Sequence, residues 1–217
     1  MSRSVRITIV TLLAAIGLWQ LGSGLYIHAK AWLAQRLIES SWEQTLAGRR
    51  EVRPWPWADT WPIARLRIPE ADVDLYVLAD ASGRSLAFGP GYWNGSARPG
   101  TAGNTIIAAH RDTHFRFLEH ATRGQEILLQ TTDGREHRYR LIETRVLDSR
   151  HDRIVIEAER PTLTLLTCYP FDAVVPGGPL RYVAIAESAG QLSTSHTRTP
   201  PQDDAPLGTT NAISKYF

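Results

Sequence analysis

The stretch Ile63-Ala64-Arg65-Leu66-Arg67-Ile68 decides the fold. Apolar and charged residues alternate along it, so an extended chain turns Ala64, Leu66 and Ile68 to one face and Arg65 and Arg67 to the other. Val73 to Leu78 and His137 to Ile142 repeat the pattern. Thr105 to Ala109, Glu126 to Thr131, Ile154 to Ile156, Thr162 to Thr167 and Tyr182 to Ala186 read as further short strands. Turn signals separate them: Gly100-Thr101-Ala102-Gly103, Asp133-Gly134 and Pro176-Gly177-Gly178. One short helix is expected over Arg116 to Ala121. Many short strands with little helix predict a mainly β domain, a closed or nearly closed barrel of about eight strands over residues 61–188.

Upstream the period changes. From Ile7 to Ile27 no residue is charged, and as a helix this run spans about 30 Å, the thickness of a bilayer core. Arg3 and Arg6 precede it, so the positive-inside rule places the N-terminus in the cytoplasm and the domain outside, on the periplasmic or cell-surface side. Residues 1–30 therefore read as a basic start and a single-pass anchor. A cleaved signal peptide ending near Ala29-Lys30-Ala31 is the competing reading, and it exports the domain equally. Ala31, Ala34, Ile38, Trp42 and Leu46 recur at helical spacing, which carries a helix outward to a stop at Gly48. Residues 31–60 close with the Pro- and Trp-rich connector Pro54-Trp55-Pro56-Trp57. Residues 189–217, rich in Ser, Thr, Pro, Gln and Asp, read as a disordered tail.

The 217 residues carry a formal net charge of +2 with no basic stripe, which argues against nucleic acid as a partner. A single cysteine excludes an internal disulfide and a thiolate-rich zinc site. His114, four residues after His110, could share a zinc with it on a helix, but the ligand count falls short. No metal and no cofactor are expected.

A cysteine nucleophile needs an imidazole to manage the proton and donors for the oxyanion. His110 follows the apolar run Ile106-Ile107-Ala108-Ala109, Cys168 ends Leu163-Thr164-Leu165-Leu166-Thr167, and Arg181 opens a strand after Pro176-Gly177-Gly178-Pro179. Reactive residue types at strand ends beside loops are how a barrel rim presents a site. Ala109-His110-Arg111-Asp112-Thr113-His114-Phe115 resembles the histidine motif of sortases. Thr164-Leu165-Leu166-Thr167-Cys168 is similar to their TLxTC signature, continued by Tyr169-Pro170-Phe171, and Leu180-Arg181-Tyr182-Val183 is similar to their arginine strand. The resemblance runs from about Trp61 to Glu187. It departs at Ala109, where many sortases carry Gly.

The resemblance implies a sortase-like barrel and a sorting-signal transpeptidase, looking most like the single proteobacterial type. Cys168 would attack the Thr carbonyl of an LPxTG-like signal and form a thioacyl enzyme. His110 would protonate the leaving amine and deprotonate the incoming one, and Arg181 would hold substrate and oxyanion. Thr167, Ala109, His114 and Tyr169 would line the substrate site. The partners implied are a protein with the sorting signal and an amine acceptor on peptidoglycan or protein. A thiolate–imidazolium pair predicts a bell-shaped pH–rate profile. Two other readings compete: a non-catalytic membrane-tethered binding barrel with an inert cysteine, and another cysteine acyl transferase or endopeptidase of the cell envelope. Separation of His110 from Cys168 in sequence disfavours the L,D-transpeptidases, which keep both in one local motif.

Overall fold

The computed structural model describes residues 3–154, 161–175 and 177–189. Helix α1 (Arg3–Leu46) is unbroken over 44 residues, about 66 Å. Leu12, Leu13, Leu18, Trp19, Leu21 and Leu25 on its first part are exposed and touch no core. Beyond Leu33 a stripe forms instead: Ala34, Ile38, Ser41, Trp42 and Thr45 are buried at the three- and four-residue spacing that keeps one face of a helix in contact. Ala31 and Leu46, expected on that stripe, are exposed. Gly48 ends the helix with φ +94°, a conformation glycine adopts without a Cβ penalty, and its N–H donates to the Thr45 carbonyl. In the connector Trp55 stacks edge-on against Phe88 at 5.0 Å, whereas Trp57 is 80% exposed.

The strands are β1 (Pro62–Ile68), β2 (Val73–Leu78), β3 (Gly91–Tyr92), β4 (Asn104–Ala108), β5 (Glu126–Thr131), β6 (Glu136–Asp148), β7 (Thr162–Cys168) and β8 (Leu180–Ser188). They close into a barrel in the order β1-β2-β3-β4-β7-β8-β6-β5. The mainly β, eight-stranded expectation holds. The expected helix after Arg116 is a 3-10 turn over Arg116–His120, and among the described residues two further helical turns, a 3-10 turn over Pro69–Ala71 and α2 (Gly83–Leu86), sit between β1 and β2 and between β2 and β3.

In β1, Ala64, Leu66 and Ile68 face the interior, while Arg65 and Arg67 face out to Asp74 and Glu136. β7 differs because it is buried on both faces. Leu163 and Leu165 fill the barrel, where they meet Ile107, Ala109 and Ala184. Leu166 points to the outside, where Ala81 and Leu86 from the β2–β3 segment cover it together with Ile106, Ala108 and Val183. Gly91 allows that segment to lie close, since a Cβ there would stand 2.2 Å from the Asp80 carbonyl oxygen. Burial on both sides explains the near-continuous apolar run Leu163 to Leu166.

Candidate active site

Three neighbouring strands carry the candidate residues. β4 and β7 run parallel, with Ala108 beside Leu166, and β7 runs antiparallel to β8, with Cys168 directly opposite Arg181. Alternation then assigns faces. Leu166 and Val183, register partners, both lie on the outer face, so Cys168 and Arg181, two residues on and two residues back, share it. Directly opposed residues on one face of an antiparallel pair have Cβ atoms about 5 Å apart. Ala108 lies on the same outer face, and His110 follows it by two positions as the chain leaves β4.

Hydrogen bonds hold these ends together. The Ala109 N–H donates to the Leu166 carbonyl at 3.1 Å, and the buried Thr167 hydroxyl donates to the Ala109 carbonyl at 2.7 Å. The residues before His110 and before Cys168 are thereby tied to each other. Thr167 and Ala109, expected to line the substrate site, are both fully buried and form this clamp. The Tyr169 N–H donates to the Leu180 carbonyl at 3.0 Å, which joins the residues after Cys168 and before Arg181. Cys168 is a free, half-buried thiol, and His110 is exposed. Arg181 is buried, and its Nη1 donates to the carbonyls of Gly178 at 2.6 Å and Leu180 at 2.9 Å. These bonds fix the guanidinium near the rim, where its permanent charge suits a thiolate and an oxyanion.

The loop after β7 is braced from two sides. Tyr169, Phe171 and Tyr182 form an aromatic trio with centroids 5.1 to 6.3 Å apart. Arg111 braces the other side. Its side chain is 7% exposed, and it donates through Nη1 to the Pro170 carbonyl and through Nη2 to the Ala173 carbonyl, each at 2.7 Å. Its Nε also donates to Asp112 at 3.2 Å. Sequence reasoning gave Arg111 no role. The one signal was its place beside His110, since nothing in a sequence shows that an arginine will be buried by a loop some sixty residues away.

His114 is half-buried, and burial lowers its pKa below the ordinary value, with the charge of His110 acting in the same direction. Its Nδ1 lies 3.3 Å from the Thr113 hydroxyl. Among the described residues no three metal-ligating side chains gather into a cluster. A cleft of about 970 Å³ lies elsewhere, lined by Thr45, Trp61, Asp80, Arg98 and Asp133 among others. It includes none of Cys168, His110 and Arg181.

Comparison with known proteins agrees with this fold. The sortase domain family model matches residues 66–189. Sortase D of Bacillus subtilis (strain 168) is 30% identical over 119 residues, which cover 54% of this chain and 59% of that protein. The chain thus spans less than two thirds of that relative's length. A sortase D5 transpeptidase from Clostridium perfringens shares the fold with a TM-score of 0.54 at 24% identity, covering 70% of this chain and 89% of that one. Sortase A from Corynebacterium diphtheriae superposes with a TM-score of 0.54 at 24% identity, over 64% of this chain and 66% of that one. A domain match over more than half of the chain, on a barrel shared with solved sortases, establishes that this protein belongs to the sortase family.

Proposed function

We propose that the protein is a membrane-anchored cysteine transpeptidase. Cys168 attacks the Thr carbonyl of an LPxTG-like signal, the Thr–Gly bond breaks, and a thioacyl enzyme forms. His110 gives its proton to the departing amine and later takes one from the incoming amine, which attacks the thioester and restores the thiol. Arg181 donates to the tetrahedral oxyanion in both halves of the reaction. Without an acceptor, water completes the cycle as hydrolysis. The register that sets Cys168 opposite Arg181, with His110 leaving the adjacent parallel strand, is the observation that carries this reading.

Anchoring rests on α1. A stretch beginning at Thr11 is long and apolar enough to cross a bilayer, and none of its apolar window is buried by the protein. Arg3 ahead of the span supports a cytoplasmic N-terminus and an exported barrel.

The test is to incubate the full chain with an LPxTG-type peptide and excess triglycine, following both products and protein by mass spectrometry. The helix stays in place because Ile38 and Trp42 are part of the packed fold. A ligated product that disappears in Cys168→Ala is the expected result. A folded protein that forms no acyl adduct with several signal variants, and whose Cys168 resists alkylation, would favour the binding-barrel reading.

A further inference from the structure

We infer that the barrel end bearing Cys168 faces the lipid surface, with Val174 and Val175 reaching the headgroup region. The inference rests on the reading of α1 as a membrane anchor. It follows from strand directions. β5 is antiparallel to β1 and to β6, and β8 is antiparallel to β6 and to β7. β1, β6 and β7 therefore point the same way, and Ile68 and Cys168 end at one end of the barrel. α1 runs against β1. Thr45 lines the same cleft as Trp61 and Pro62 at the start of β1. Further back, Trp42 stacks with Tyr76 at 6.3 Å, and Tyr76 is the register partner of Arg65 in the middle of β1. Followed toward its N-terminus, the helix travels toward the Ile68 and Cys168 end.

The lengths bring that end close to the bilayer. From Trp42 back to Ile27, the last residue of the uncharged run, is about 22 Å of helix. From Arg65 to Ile68 is about 10 Å of strand. The strand end thus stops about 12 Å short of the apolar boundary for a helix and strand lying side by side. The headgroup layer occupies about 5 to 7 Å outside that boundary, so Val174, directly after the Ala173 that Arg111 braces at the rim, needs to stand only about 5 to 7 Å beyond the strand end to meet it.

Its apolar residues are where such contact needs them. Val174 is 95% exposed and Val175 77% exposed. Among the described residues outside α1, the other exposed large apolar side chains are Trp57 and Val146, each isolated in sequence. Scattered single apolar residues are ordinary on a surface, but two adjacent exposed valines on the loop at the end nearer the anchor suit an interfacial contact. The braces from Arg111 and the aromatic trio hold the base of this loop, so seating its tip in the interface also sets the height of Cys168 above the membrane.

The test uses the full chain in phosphatidylcholine–phosphatidylglycerol nanodiscs, on a Cys168→Ser background that leaves no native thiol. Fluorophores are placed singly at Asp172→Cys beside the valines, at Thr132→Cys at the opposite end, and at Ala14→Cys in α1. Lipids carrying nitroxides in the headgroup or the acyl chain quench them. The Asp172 probe is expected to be quenched by headgroup nitroxide at least about twofold more than the Thr132 probe, and to lose about half of that quenching when Val174 and Val175 are both changed to Asn. The Ala14 probe reports anchoring by itself, through acyl-chain quenching. Quenched Ala14 with equal signals at Asp172 and Thr132, or no response to the double Asn change, overturns the proposed orientation or contact while leaving the anchor intact. Unquenched Ala14 overturns the anchor reading and this inference with it.

Discussion

The two ends of the barrel differ in how their polar groups are held. At one end Cys168, His110 and Arg181 come from hydrogen-bonded neighbours β4, β7 and β8, and ladder bonds fix their spacing. At the other end the large cleft opens between the end of α1, the start of β1 and the β5–β6 turn. Two of its carboxylates are engaged in building local turns. Asp133 accepts from the Thr131 hydroxyl at 2.5 Å and from Arg135 at 2.6 Å, contacts that hold its pKa well below the usual carboxylate range. Asp80 likewise accepts from Ser82 and Ser85, which lower its pKa against the opposing effect of burial. Void volume here marks where loops fail to meet, while the candidate residues gather where strand ends are locked together.

Three measurements would break or sharpen that contrast. The largest effect is expected at Arg111. Arg111→Ala frees the loop after Cys168 from the turn carrying His110, and kcat/KM should fall by about 10- to 100-fold, the scale of a misplaced catalytic group. The loss should fall on kcat, and Arg111→Lys should restore only part of it, because one ammonium cannot span both carbonyls. An unchanged kcat would show that the strands alone position the site.

A smaller effect concerns His114. Its folded pKa lies below the unfolded value of about 6.5, so the unfolded chain binds the proton more readily. The stability this represents is fully present above pH 6.5 and is lost as the pH falls through the folded value. Urea midpoints at pH 7.5 and 5.5 should therefore drop for the native protein, and His114→Asn should flatten the drop. An equal drop in both would remove His114 from the account. The smallest effect is expected in the cleft, where Arg98→Ala should leave kcat/KM within about twofold, as for an ordinary surface change. A larger loss in the ligation assay would link the two ends.

Much of the barrel was legible because burial on one face imposes a period. Val73–Leu78 and Glu126–Thr131 begin and end where their sequence pattern does. β6 runs to Asp148, well past Ile142, because Glu143-Thr144-Arg145 are exposed and are held by pairing with β8, which leaves no apolar signature. β3 is two residues long and has no period to read. Ile154, expected to open a strand, is buried against the outer face without strand pairing, and Val155 and Ile156 lie outside the described residues. In the site, residue types at strand ends could be read, since strand direction follows from local pattern. The clamp from Thr167 and the brace from Arg111 could not, because each joins segments about sixty residues apart.

On the proposed reading of Cys168 as the nucleophile, its place at the end of β7 has a mechanical consequence. A substrate held covalently on Cys168 and drawn away from the rim would then load this strand along its length, while α1 would resist through its contacts with β1 and β2. β7 is not an edge: β4 and β8 flank it along most of its length. Tension along the strand loads both ladders in shear, with many bonds sharing the force at once, whereas a nucleophile on an edge strand pulled sideways would let its bonds open one after another.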